Sequence, residues 1–80
     1  MEYQELINKC KEAYKQINLE KAWKYWVEIY DKASSKFEKC EENSNEFYKA
    51  YEEFQNYMRQ FTDDEVYTIT DYGKSILFSE

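Results

Sequence analysis

The sequence contains no histidine and no proline, one glycine, one arginine, two cysteines and three leucines in 80 residues, and these shortages each remove a class of function. Without histidine the chain lacks the commonest general base near neutral pH and the commonest transition-metal ligand. A single glycine, Gly73, cannot build the phosphate-cradling loops of nucleotide-binding proteins. No stretch approaches the roughly 18 apolar residues that a membrane span requires. The start, Met1 to Glu5, lacks the basic and then apolar regions of a secretory signal, so a cytoplasmic location is expected, with Cys10 and Cys40 as reduced thiols. Ten lysines to one arginine, with abundant Asn, Ile, Tyr and Phe, follow codons rich in A and T and point to a low-GC bacterium or one of its phages or plasmids.

Catalysis would have to rest on carboxylates, lysines or the two cysteines. Cys10 and Cys40 each fall on an apolar stripe and away from a helix N-terminus, where a thiol pKa would drop, so they read as buried structural thiols. If the first two helices pair antiparallel about Asn18, Cys10 faces the region of Trp26. Cys40 then lies about 14 residues further on, roughly 20 Å at the helical rise, beyond disulfide reach. Asp63, Asp64 and Glu65 lack the alternating oxygen ligands of a calcium loop and read as acids in the first turn of a helix. We expect no enzyme activity, no cofactor and no metal.

Sixteen residues are aromatic, so the core is built from Tyr, Phe and Trp, with several tyrosines at its rim holding their hydroxyls in water. Apolar residues at Tyr3, Leu6, Ile7, Cys10, Ala13, Tyr14 and Ile17 recur at helical spacing and predict a helix over about residues 2–17. A second series, Leu19, Ala22, Trp23, Trp26, Val27, Tyr30, Ala33, Ser34, Phe37 and Cys40, predicts a helix over about 19–41. The two series are half a turn out of phase, so one straight helix cannot carry both, and the break falls at Asn18, a good N-cap residue. Tyr25 and Ile29 widen the second apolar face, which makes that helix the central one.

Glu41 to Asn45 reads as a loop, and Asn43 with Glu46 as a capping box. Phe47, Ala50, Tyr51, Phe54, Met58 and Phe61 predict a third helix over about 45–61. Thr62 and Glu65 form another capping box, and Val66, Ile69, Gly73, Ile76 and Leu77 continue a three-four pattern. The strand formers in Val66 to Thr70 and a turn at Asp71 to Lys74 allow a β-hairpin instead. The expected fold is all-α, a small bundle of three helices plus a short C-terminal helix in a single domain over 1–80, with an α+β chain ending in a hairpin as the alternative.

Charge is the remaining signal. Residues 1–39 carry 7 acidic and 8 basic side chains, and residues 40–80 carry 10 acidic and 3 basic ones, so the overall charge of −6 is concentrated in the second half. The candidate partner-binding residues are Glu42, Glu46, Glu52, Glu53, Asp63, Asp64 and Glu65, with Tyr48 as the aromatic anchor beside Glu52. Such a field repels nucleic acid and attracts the basic surface of a protein that binds it. The Trp23 and Trp26 pair could suggest a base-stacking platform, but one arginine and a negative charge do not neutralise phosphates, so direct nucleic-acid binding is not expected. Nor is membrane binding.

A folded surface of roughly 5,000 Å² is small enough that one standard interface of about 800 Å² per partner covers a sixth of it. In size, acidity and expected source the chain resembles the small phage-encoded inhibitors of bacterial defence, such as anti-CRISPR proteins. That resemblance is compositional, covers no motif and transfers no residues. It implies an inhibitor that mimics nucleic acid on a basic surface of an effector. The alternative is a helical dimerisation or adaptor module, a homodimer meeting through Tyr25 and Ile29.

Overall fold

The computed structural model describes residues 2–77. They form four helices: α1 (Tyr3–Lys15), α2 (Leu19–Glu38), α3 (Asn45–Met58) and α4 (Asp63–Leu77). There is no strand among the described residues, so the C-terminal hairpin is overturned. Two local features favour the helix there. Thr62 Oγ1 accepts from the Glu65 amide at 3.2 Å and Glu65 Oε1 accepts from the Thr62 amide at 2.9 Å, a complete reciprocal cap. Ile69 and Gly73 then fall on one buried stripe. The fourth helix is not short: its 15 residues exceed the 13 of α1 and the 14 of α3.

Each of the first three helices stops before its expected end. At the end of α1 the Ile17 amide donates to Tyr14 O and the Asn18 amide to Ala13 O, the paired bonds of a Schellman motif. Ile17 takes the left-handed conformation there, with φ 58°. Asn18 closes α1 with its backbone and opens α2 with its side chain, whose Oδ1 accepts from the Lys21 amide at 3.2 Å. The cap of α3 is displaced by one residue from the expected box. Asn43 has φ 66° and turns the chain, whereas Ser44 is extended and its Oγ accepts from the Phe47 amide at 3.1 Å. An N-cap residue needs that extended backbone.

α2 touches each of the other helices, while α3 and α4 do not pack on one another. α1 lies antiparallel to α2, with the Cys10 thiol donating to Ala22 O at 3.2 Å and Lys36 Nζ 4.8 Å from the centre of the Tyr3 ring. α3 covers the C-terminal half of α2, from Phe37 against Phe47 to Tyr30 against Phe54. Phe61, in the connection, meets Trp26 edge-on. α4 covers the N-terminal half, with Gly73 against Trp23. Thus α3 and α4 follow one another along α2, and each also touches α1, through Tyr3 against Phe54 and Tyr57 and through Lys11 against Glu65.

The core follows from this. Tyr3, Leu6, Ile7, Cys10 and Ala13 of α1 face Ala22, Trp26, Ile29 and Ala33 of α2, joined by Phe61 and Ile69. The alanines let the two helix axes approach closely. Ile29 is wholly buried and Tyr25 is half-buried against this core, so Ile29 cannot contribute to the expected self-interface. α3 contains no fully buried residue, although its apolar stripe is as regular as those of α1 and α2. Sharing α2 with α4 leaves that stripe only half covered.

Candidate functional site

The expected acidic face divides once the helices pack. Glu65 is 7% exposed, and Lys11 Nζ of α1 lies 3.2 Å from its Oε1. Burial alone would raise its pKa, but the Thr62 amide and the Lys11 ammonium outweigh burial and hold the carboxyl below the ordinary range. Lys11 also donates to Gln60 O and lies over the Phe61 ring at 5.5 Å, so it ties α1 to the elbow between α3 and α4. Glu65 therefore belongs to the interior and cannot face a partner. Glu53 is also engaged, 3.2 Å from Lys36 Nζ of α2. That pair is half in water and contributes roughly 0–1 kcal/mol.

Glu42, Glu46, Glu52, Asp63 and Asp64 are exposed and take part in no ion pair among the described residues. Successive residues of a helix are 100° apart, so Glu46 and Glu53 share the flank of α3 that faces α1. Glu52 lies on the crest next to Tyr48 and Gln55, and Lys49 stands between the two groups. The carboxylates of α3 therefore do not form one face. Of the α3 carboxylates only Glu53 meets a lysine among the described residues, Lys36 of α2.

Tyr48 is 55% exposed, with its hydroxyl donating to Asn43 Oδ1 at 3.3 Å. Phe47 meets it edge-on and stacks on Tyr51, with ring centres 6.5 Å apart and planes 6° from parallel. Tyr51 and Tyr30 are partly exposed, at 45% and 44%. Burial against the neighbouring rings raises the Tyr30 pKa.

Where α3 ends and α4 begins, the chain leaves a cleft of about 480 Å³ walled by Tyr30, Phe54, Met58, Phe61 and Val66, with Arg59 and Asp63 at its lip. Sequence reasoning assigned Phe54, Met58 and Phe61 to a covered core stripe and missed the cleft. Their three-four spacing is the same whether a neighbour covers them or not, and no residue type in the segment signals the difference.

The thiols offer no chemistry at this site. Cys10 has no exposed surface, and burial pushes its pKa up to about 12, so it holds no thiolate near neutral pH. Cys40 is half-buried at the end of α2, its thiol donating to Lys36 O at 3.4 Å, and neither cysteine is in a disulfide. No group of three or more His, Cys, Asp or Glu side chains able to hold a metal ion occurs among the described residues. Among the described residues no helix is long and apolar enough to cross a membrane. The chain matches no family model, no curated protein and no solved structure.

Proposed function

We propose that this chain is a small helical bundle that works as a protein-binding module, docking its α3–α4 side on a basic surface of a partner protein. The observation that carries this reading is the sorting of carboxylates by the fold. Glu53 and Glu65 are neutralised by Lys36 and Lys11, and Glu52, Asp63 and Asp64 remain unpaired beside exposed Tyr48, Tyr51 and Tyr30. Unpaired carboxylates speed the capture of a basic surface, and rigid tyrosine rings supply contact area at small entropic cost. Basic surfaces of this kind are what nucleic-acid-binding proteins present to phosphates, and one occupied by carboxylates cannot hold nucleic acid. The reading therefore makes the module an inhibitor, in the manner of the phage anti-defence proteins that its composition resembles. A homodimerisation module is the weaker reading, since Ile29 is buried.

The test uses a nucleic-acid-binding protein that the chain retains at low salt. Substituting Glu52→Gln, Asp63→Asn and Asp64→Asn together should slow association at least about tenfold at low ionic strength, whereas Glu53→Gln should change it little. Nucleic acid should displace the chain. A partner that holds both at once, or association indifferent to the triple substitution, rejects the reading.

A further inference from the structure

We infer that the end of the bundle where the α1–α2 turn meets the last turn of α4 is a self-interface, through which two copies of this chain pair about a two-fold axis. The large aliphatic side chains exposed among the described residues, Ile17 at 85%, Leu77 at 66% and Ile76 at 42%, all belong to this end, and the other large apolar residues left exposed are tyrosines. A cleft of about 550 Å³ opens on the same face, its apolar part made by Trp23, Val27 and Ile76 and its charged part by Glu20, Lys21, Lys24 and Glu28, together with Asn18. Ile17 directly precedes Asn18 and Leu77 directly follows Ile76, so apolar knobs adjoin the hollow. Ile17 carries a second signal. It holds φ 58°, a strained conformation for a β-branched residue, yet it takes no part in the core, and within one protomer its side chain offsets none of that strain. The face is not the surface of Tyr25 and Ile29, since Ile29 is buried.

Shape and charge together select a second copy as the occupant. A two-fold interface sets one patch against itself, so that residue i meets j while j meets i, and a patch holding both hollow and knobs meets that condition. It must also not repel itself. Glu20 and Glu28 balance Lys21 and Lys24 in the cleft, and beside it Lys15 and Lys74 each stand three residues from an acid, Glu12 and Asp71, on the same helix surface. Residues 41–65, by contrast, carry eight acidic side chains against Lys49 and Arg59, and two copies meeting there repel one another. A balanced patch gains nothing from a strongly basic protein, a polyphosphate or an anionic membrane. Asp63 lies roughly 20 Å along α4 from Ile76, so the pairing leaves the acidic side of each copy open and does not depend on what docks there.

Sedimentation equilibrium on the full chain, from about 5 to 500 µM, should show a reversible monomer–dimer equilibrium, the range of a small transient interface. Amide shifts that change on dilution should centre on residues 17–28 and 73–77. Leu77→Glu and Ile17→Gly should each raise the dimer dissociation constant at least about tenfold, the scale of one buried contact at the centre of an interface. Ile17→Gly is the sharper variant, because it relieves strain and so weakens the dimer without weakening the folded monomer. Lys21→Glu with Lys24→Glu should also weaken pairing, and adding Glu20→Lys and Glu28→Lys, which restores the balance with the signs inverted, should recover it. The triple substitution Glu52→Gln, Asp63→Asn and Asp64→Asn should leave pairing at least as strong. A monomer throughout the range overturns the inference, as does a dimer indifferent to both Leu77→Glu and Ile17→Gly. A mass that keeps rising beyond the dimer shows an open head-to-tail contact and rejects the two-fold pairing. Binding of a monomer to phosphatidylserine vesicles that Leu77→Glu abolishes gives the face to lipid instead.

Discussion

The ring of Trp23 lies so close to Gly73 that a Cβ built on that glycine would stand 2.3 Å from Trp23 Cζ3. Glycine in mid-helix is otherwise unfavourable by about 1 kcal/mol relative to alanine, and here it lets α4 approach the N-terminal half of α2. Gly73→Ala should therefore destabilise the protein despite its better helix propensity, by about 1–2 kcal/mol for an overpacked contact, measured by urea unfolding. The same substitution made on a Trp23→Leu background should be neutral or stabilising. If Gly73→Ala alone raises stability, the close approach is not part of the folded state.

Ile17 should give the opposite result. It is 85% exposed and holds φ 58°, a conformation that costs an L-residue roughly 1–2 kcal/mol, most for a β-branched one. Ile17→Gly removes that strain and loses no packing. After the extra chain entropy of glycine, a net gain of about 0.5–1 kcal/mol remains, or about 3–6 °C in Tm for a domain of this size. Calorimetry that shows no gain would mean that the Ile17 side chain makes a stabilising contact.

The Lys11–Glu65 pair sets an acid limit on stability. The folded pKa of Glu65 lies below its unfolded value, so the folded state binds the proton less readily. Its contribution is complete above the unfolded pKa, about 4.3, and is lost as pH falls through the folded pKa. Glu65→Gln should lower stability at neutral pH by about 1–2 kcal/mol, the scale of a lost charged hydrogen bond. It should also flatten the fall in unfolding free energy below about pH 4.3. A variant with the same acid slope as the parent would show that other carboxylates set the limit.

The two cysteines should separate in thiol labelling. Cys10 is fully buried with its pKa pushed up to about 12, and Cys40 is half-buried. One equivalent of a thiol reagent should react with the native protein, at Cys40, and the second only at the rate of unfolding. Fast labelling of both would mean that α1 opens from α2 far more readily than its packing implies.

Much of the fold was legible in the residues. The three-four spacing of Leu6, Ile7, Cys10 and Ala13 and of Ala22, Trp26, Ile29 and Ala33 fixes two helices. Asn18 marks their junction, and Thr62 with Glu65 marks the start of α4. The half-turn offset between the first two series requires the chain to reverse, because one straight rod cannot bury two opposite faces. The site was less legible. Glu65 and Asp64 are neighbours in the same acidic run, yet one is buried on Lys11 and the other stands in water, and of the two exposed neighbours Glu52 and Glu53 only Glu53 is paired, with Lys36.

By itself the sequence determined three helices with an aromatic core, a central α2 and an excess of carboxylate, since spacing and capping act over a few residues and are written locally, but it left the C-terminal segment open between helix and hairpin. Only the tertiary structure decided which carboxylates stay unpaired, that α3 is half covered and that a cleft opens at the α3–α4 elbow. Those outcomes depend on how two helices share the length of a third, and on lysines some 17 to 54 residues away in the chain. Periodicity reports which face of a helix is apolar, not how much of that face a neighbour covers.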